Sequence, residues 1–380
     1  MICEEKVLLE TINSYIHKKE LPTIENWDKV FYVAKKHSLG SMFYIAVKNL
    51  ENLPQKFQEK AEQHFVSQVS QQISQDYYAE KLFADFNELG IKYMPLKGKR
   101  IRELYPDPAA RTSCDVDVFY DKSKTNQVNK ILTDYEFKSQ GNGVNHSSWQ
   151  KGVVTFEMHY ELAAHKEKAY EYYKDVWQKL ELTNGSMYKF SDEDFYIYFI
   201  VHSAKHFYGG GFGIRTVLDV YFYKNNVKMN EEYLTAEFKK LGLTKFVTCI
   251  EKLANAWFGG VNSDEDTEFL GNYILRASTY GTSANGAAMV GVNGKKGRKR
   301  AKTAYLLRAL FPKYKTMKTI YPILKPLPFL LPFMWVYKWF EVLILRNKKI
   351  KNTVNNIKAM DDDKVKDTVK LKELTGFTEY

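Results

Sequence analysis

The hydrophobic period of this chain changes from helical to alternating near residue 90 and returns to helical after about residue 165. An alternating segment cannot continue the helices on either side of it, so this double switch restricts the fold more than any other feature. Upstream, Leu8, Leu9, Ile12, Tyr15 and Ile16 recur at helical spacing, as do Val30, Phe31, Val33 and Ala34. A longer helix opens at Pro54, tolerated in a first turn, and carries Phe65, Val69, Ile73, Tyr77, Phe83, Phe86 and Leu89 until Gly90 stops it. Residues 91–96 are then short, apolar and bounded by Gly90 and Gly98, and 115–120 alternates polar with apolar side chains. Two more strands are expected at 144–150 and 153–162, with helices at 99–105 and 123–135 between strands and a turn at Gly141 and Gly143. The expected fold class is α+β, with a small mixed sheet embedded between helical domains.

The expected organisation is a helical region over 1–89, the mixed-sheet unit over 90–165, a helical domain over 166–303, and C-terminal helices with a tail over 304–380. Ser191 is positioned as a helix N-cap, with Asp194 in the capping-box position. Residues 280–303, rich in Gly, Ala, Asn and Ser before a basic run, read as a mobile basic loop.

A chain with 44% hydrophobic and 15% aromatic residues is too apolar for disorder. Cys3, Cys114 and Cys249 are too scattered for a disulfide framework or a zinc knuckle, which suits a reducing, cytoplasmic setting. The N-terminus becomes charged within four residues and lacks the apolar core of an export signal. The most apolar stretch, 327–345, is broken by Pro328, Pro332, Lys338 and Glu341, short of the ~18 uninterrupted residues of a transmembrane helix. It reads as a buried or surface-docked helix. Trp335, Tyr337 and Trp339 beside basic residues would also suit a peripheral membrane contact, the lesser expectation. A formal charge of +11 favours a phosphate-bearing partner.

The chemistry concentrates on Asp115 and Asp117. Strand residues two apart project to one face, so both carboxylates crowd together, and a divalent cation with oxygen ligands relieves their repulsion. A solvated pair on an edge strand is the plainer alternative. Glu157 and His159 share the polar face of the 153–162 strand, and if that strand lies beside the first, Glu157 supplies a third acid. Gly98 sits between strand and helix, where backbone N–H groups favour anions, and Lys97 and Arg111 add positive charge for phosphates. His202 and His206 share a helical face, as do Arg215 and Asp219. They are expected to form a polar network that contacts a phosphate or holds the helix, rather than a metal site, since no third nitrogen or sulfur ligand stands near. The run Lys295, Lys296, Arg298, Lys299, Arg300 and Lys302 suits an anionic surface or a solvated loop, and the solvated loop is favoured because no aromatic interrupts it.

Leu96-Lys97-Gly98, then Leu104-Tyr105-Pro106-Asp107-Pro108, Arg111, Asp115-Val116-Asp117-Val118 and Glu157-Met158-His159-Tyr160 resemble the uncharacterised nucleotidyltransferase family of the DNA polymerase β-like superfamily. His202, His206, Arg215, Asp219 and the Phe311-Pro312 step extend the likeness, which covers roughly residues 80–345. It departs from the superfamily's usual Gly-Ser or Gly-Gly turn, because Lys99 follows Gly98 and Asp115 lies seventeen positions beyond it. The resemblance implies a nucleotidyltransferase palm in which Asp115, Asp117 and Glu157 are catalytic and hold Mg²⁺ or Mn²⁺. Lys97, Gly98, Arg111, His159, His202 and His206 would then bind the nucleotide, ATP or another NTP. The implied reaction moves an NMP to an acceptor hydroxyl on a small molecule, sugar, protein or RNA. The alternative is a palm that binds nucleotide or nucleic acid without turnover.

Overall fold

The computed structural model describes residues 3–164, 169–277, 279, 281–292, 298–345, 347–359 and 361–377. Lys295, Lys296 and Gly297 of the basic run lie outside the described residues, as does the expected boundary at 165–166. Helices α1 (Cys3–Ile16), α2 (Trp27–Lys36) and α3 (Gly40–Val47) pack Leu8, Ile12, Phe31, Met42 and Phe43 into one core. Helix α4 (Gln55–Glu88) begins after Pro54 and ends before Gly90, whose φ of 62° lies in the left-handed region that glycine adopts most easily.

The chain then folds through β1 (Tyr93–Pro95), α5 (Lys99–Arg102), β2 (Val116–Tyr120), α6 (Thr125–Asp134), β3 (Lys138–Asn142), β4 (His146–Lys151) and β5 (Val154–His159). After α7 (Tyr170–Tyr173) come β6 (Glu181–Asn184) and β7 (Met187–Lys189). One mixed sheet of seven strands results, ordered β3-β4-β5-β2-β1-β7-β6. Strands β2 and β5 pair in parallel, as do β1 and β7, and the other neighbours are antiparallel. Val118, Tyr120, Phe156 and Met158 bury one face against Leu82 and Phe86 of α4 and Val128 and Leu132 of α6. The opposite face carries the polar alternates Asp117, Glu157 and His159.

The expected α+β fold with a mixed sheet is present, and the sheet is larger than expected. Strand β3 lies where a turn at Gly141 was anticipated: its five residues KSQGN are all exposed, an edge strand without apolar alternation. The β6–β7 hairpin extends the sheet beyond residue 165, and its residues are likewise mostly exposed and polar.

Helices α8 (Asp192–Gly209), α9 (Ile214–Asn226), α10 (Glu231–Leu241), α11 (Thr244–Phe258) and α12 (Glu265–Leu275) follow. The Ser191 hydroxyl caps α8 by accepting from the Asp194 amide at 3.0 Å. The mobile loop expected at 280–303 is corrected by α13 (Ser283–Gly291). A Cβ on Gly286 would stand 2.2 Å from the Gly209 carbonyl oxygen, so small residues here permit a close helix crossing. The chain closes with α14 (Arg298–Leu310), α15 (Tyr314–Ile320), α16 (Leu331–Leu345), α17 (Asn347–Lys358) and α18 (Asp362–Thr375). Among the described residues no helix is long and apolar enough to cross a membrane.

Candidate active site

Parallel pairing of β2 with β5 sets Asp117 directly opposite Glu157, and Phe119 opposite His159. Alternation then turns Asp117, Glu157 and His159 to the same face, where one donor atom from each lies within 4.8 Å of the others. The His159 Nε2 is 3.0 Å from Asp117 Oδ1 and 3.5 Å from Glu157 Oε2, and the Lys97 ammonium is 3.0 Å from Asp117 Oδ2. Asp115, half-buried just before β2, couples electrostatically to Asp117 and Glu157.

Burial and then the Asp117 charge push the Asp115 carboxyl up to about 6. Burial also pushes Asp117 upward, but Lys97 and the hydrogen bond from His159 outweigh it and hold Asp117 well below its usual range. The His159 hydrogen bond lowers Glu157. His159 itself is raised, because its two carboxylate partners overcome the cost of burial.

Behind Lys97 the hydrogen bonds run into α8: Lys97 Nζ lies 3.1 Å from His202 Nε2, which lies 3.3 Å from His206 Nε2. Burial, followed by the Lys97 charge, lowers both imidazoles, His206 to about 4 and His202 well below its usual value. Both are therefore neutral at pH 7 and serve as a hydrogen-bonded backing to Lys97.

Gly98 precedes α5 with φ 68°, a conformation that glycine supplies readily. Its carbonyl accepts from Arg111 Nη1 at 3.2 Å. The rest of Arg111 is committed elsewhere: Nε and Nη2 bond the two Asp219 oxygens at 2.7 and 2.9 Å, and the Tyr105 hydroxyl donates to Asp219 Oδ1 at 2.6 Å. Arg111, read from sequence as a phosphate contact, is thus a buried ion pair that fixes the Gly98 turn to α9.

Two sets of residues at the site carry little sequence signal. Gln68, Gln71 and Gln72, on one face of α4, hold the segment before Asp115. Gln72 Oε1 accepts from the Ser113 amide at 3.1 Å, Gln71 Nε2 donates to the Cys114 carbonyl at 3.4 Å and to the Val153 carbonyl at 3.1 Å, and Gln68 Oε1 accepts from the Thr112 hydroxyl at 3.3 Å. Their i, i+3, i+4 spacing was the one clue. Beside this segment opens a cavity of about 360 Å³ whose lining includes Lys35, Lys36, Ser38, Thr112, Cys114 and Arg215. Its cations come from α2 and α9, far apart in sequence.

A mixed sheet that gathers Asp117, Glu157 and His159 on one face is consistent with the expected nucleotidyltransferase palm. The model of the uncharacterised nucleotidyltransferase family matches residues 24–259, and the chain belongs to that family of nucleotidyltransferases. The match begins earlier and ends earlier than the 80–345 span of the motif resemblance, leaving Phe311-Pro312 outside it. No curated protein and no solved structure matches the chain.

Proposed function

We propose that the protein transfers a nucleoside monophosphate from an NTP to an acceptor hydroxyl and releases pyrophosphate. The observation that carries this reading is the convergence of Asp117, Glu157 and His159 on one sheet face, within 4.8 Å of one another and with Asp115 alongside. The donor set fits Mg²⁺ or Mn²⁺: carboxylate oxygens with one imidazole nitrogen suit hard divalent ions, and the Asp115 carboxyl, raised first by burial and then by the Asp117 charge, stands where a cation would offset both. Asp115, Asp117 and Glu157 would hold the ion, with His159 beside them. When bound, the ion supplies charge neutralisation for the phosphate oxygens.

The remaining roles fall to this chain's own side chains. Glu157, the more exposed of the two paired acids, accepts the proton of the acceptor hydroxyl. The acceptor oxygen bonds the α-phosphorus as the bond to the β-phosphate bridge breaks, and pyrophosphate carries away the electron pair. Lys35, Lys36 and Arg215 bind the phosphates electrostatically in the 360 Å³ cavity, and Lys97 adds positive charge at the acids. The acceptor belongs to one of four classes: small molecule, sugar, protein side chain or RNA end.

The test is incubation of the purified protein with each α-labelled NTP and cell extract, beside the Asp117→Asn variant. Label on one acceptor class that disappears in the variant supports the reading, and equal labelling by both proteins refutes it. One observation favours non-catalytic nucleotide binding instead: both Asp117 oxygens already have cationic or donor partners, Lys97 and His159. Calorimetric binding of Mg-NTP with no labelled acceptor would select that second reading.

A further inference from the structure

We infer that the C-terminal helices dock the protein on an anionic lipid bilayer, independently of the chemistry at the sheet. Residues 292–351 contain sixteen Lys and Arg against a single acid, Glu341, so the remainder of the chain is net acidic although the whole is +11. The positive character of the protein is thus local.

The same segment also concentrates exposed apolar side chains among the described residues. More than half of the exposed large hydrophobic side chains among the described residues fall within 306–340. Phe329, Phe333, Tyr337 and Phe340 recur at helical spacing along α16 and the turn before it, and they are 69%, 70%, 59% and 60% exposed. Ile320 and Ile323, each 51% exposed, add apolar surface from the segment before it, and Ile320 also lines a cavity on the other side of the helix. A contiguous apolar stripe of this kind on a protein surface marks an interaction site.

The helix is anchored from its other side. The Trp335 and Trp339 indoles donate to the Pro312 and Leu310 carbonyls at 3.0 and 2.7 Å, and Lys338 donates to the Ala309 carbonyl at 2.8 Å. Those bonds hold the Phe stripe outward. Exposed Lys313, Lys315 and Lys325 flank it. Behind it lies a cavity of about 960 Å³ with apolar walls, which also admits Arg308, Lys313, Lys338 and Lys372.

Aromatic and aliphatic side chains on one face, cations at its borders and no spanning helix among the described residues together describe a helix lying in the bilayer interface. Clustered Lys and Arg add attraction to anionic headgroups. Nucleic acid would match the cations and could stack on the Phe rings, but it offers nothing to Ile320 and Ile323. A second copy of this chain would bring the same positive charge to the interface. The charge selects the anionic bilayer.

The test is sedimentation of the full chain with phosphatidylcholine vesicles, with and without about one-third phosphatidylserine. The expected result is binding to the anionic vesicles only, reduced at least tenfold in Phe333→Ser/Phe340→Ser and weakened in Lys315→Gln/Lys325→Gln. Unchanged thermal melts would show that both variants fold. Absence of vesicle binding overturns the inference. So does binding that survives the Phe substitutions, a dimer that these substitutions dissociate without any vesicle binding, or oligonucleotide binding in place of vesicle binding.

Discussion

Asp219→Asn isolates what Arg111 does. In the native protein both side chains are nearly inaccessible, 6% and 4% exposed, and share two hydrogen bonds, while the Tyr105 hydroxyl donates to the same carboxylate. An amide of the same size retains the packing but strands the guanidinium without a counter-charge. Breaking one side of a buried pair costs about 3–5 kcal/mol. At about 2–4 °C per kcal/mol for a domain of this size, the melting temperature should fall by roughly 10 °C. The assay is a circular-dichroism melt, with calorimetry of Mg-NTP at a temperature where the variant is folded. Arg111→Met combined with Asp219→Leu leaves no buried charge and should recover most of the loss. A stability within about 1 kcal/mol of wild type for Asp219→Asn would show that the pair behaves as an exposed one, since surface pairs are worth that little, and would overturn this role for Arg111. So would an Arg111→Lys protein that melts normally yet loses NTP affinity, because that is the behaviour of a phosphate ligand.

Further outcomes follow from neighbouring contacts. Gly286→Leu drives a side chain toward the Gly209 carbonyl and should lower stability by more than the ~1–3 kcal/mol usual for overpacking, read as a urea midpoint. Gln72→Ala removes the acceptor of the Ser113 amide; it should cost about 1 kcal/mol in stability and lower label transfer by more than that loss of folded protein explains. His37 is fully buried, accepts from the Ile214 amide at 3.2 Å, and is lowered to about 4 by burial and then by Lys36. The unfolded chain therefore binds the extra proton between its own value near 6.5 and about 4, and stability should fall by ~3 kcal/mol as pH drops through that window. In His37→Gln this part of the acid sensitivity should vanish, which pH-dependent urea titrations would show.

The acids could be read from sequence because strand alternation is a local rule: Asp115 and Asp117 stand two apart, and so do Glu157 and His159, whatever the rest of the chain does. The register that sets Asp117 opposite Glu157 is a non-local fact, reached in sequence only by supposing that the two strands are neighbours. Strands β3 and β6 escaped because their residues are wholly exposed, so no apolar alternation marks them. The 283–291 segment has the composition of a loop, yet small residues are also what a close helix crossing requires, and only the Gly209 contact decides between the two. Arg111 looked like a phosphate ligand because its counter-ion stands 108 residues downstream. The cavity cations Lys35 and Lys36 precede Asp115 by about eighty residues, a distance no motif spacing spans.

The proposed transfer requires a divalent ion held by the acids of β2 and β5. Anomalous diffraction from crystals grown with Mn²⁺ and a non-hydrolysable NTP measures this most directly. The expected result is a peak bounded by Asp117 and Glu157, with Asp115 at its edge, and triphosphate density entering the Lys35, Lys36 and Arg215 cavity. Manganese bound elsewhere, or nucleotide bound with Lys97 still paired to Asp117 and no ion at the acids, would contradict it.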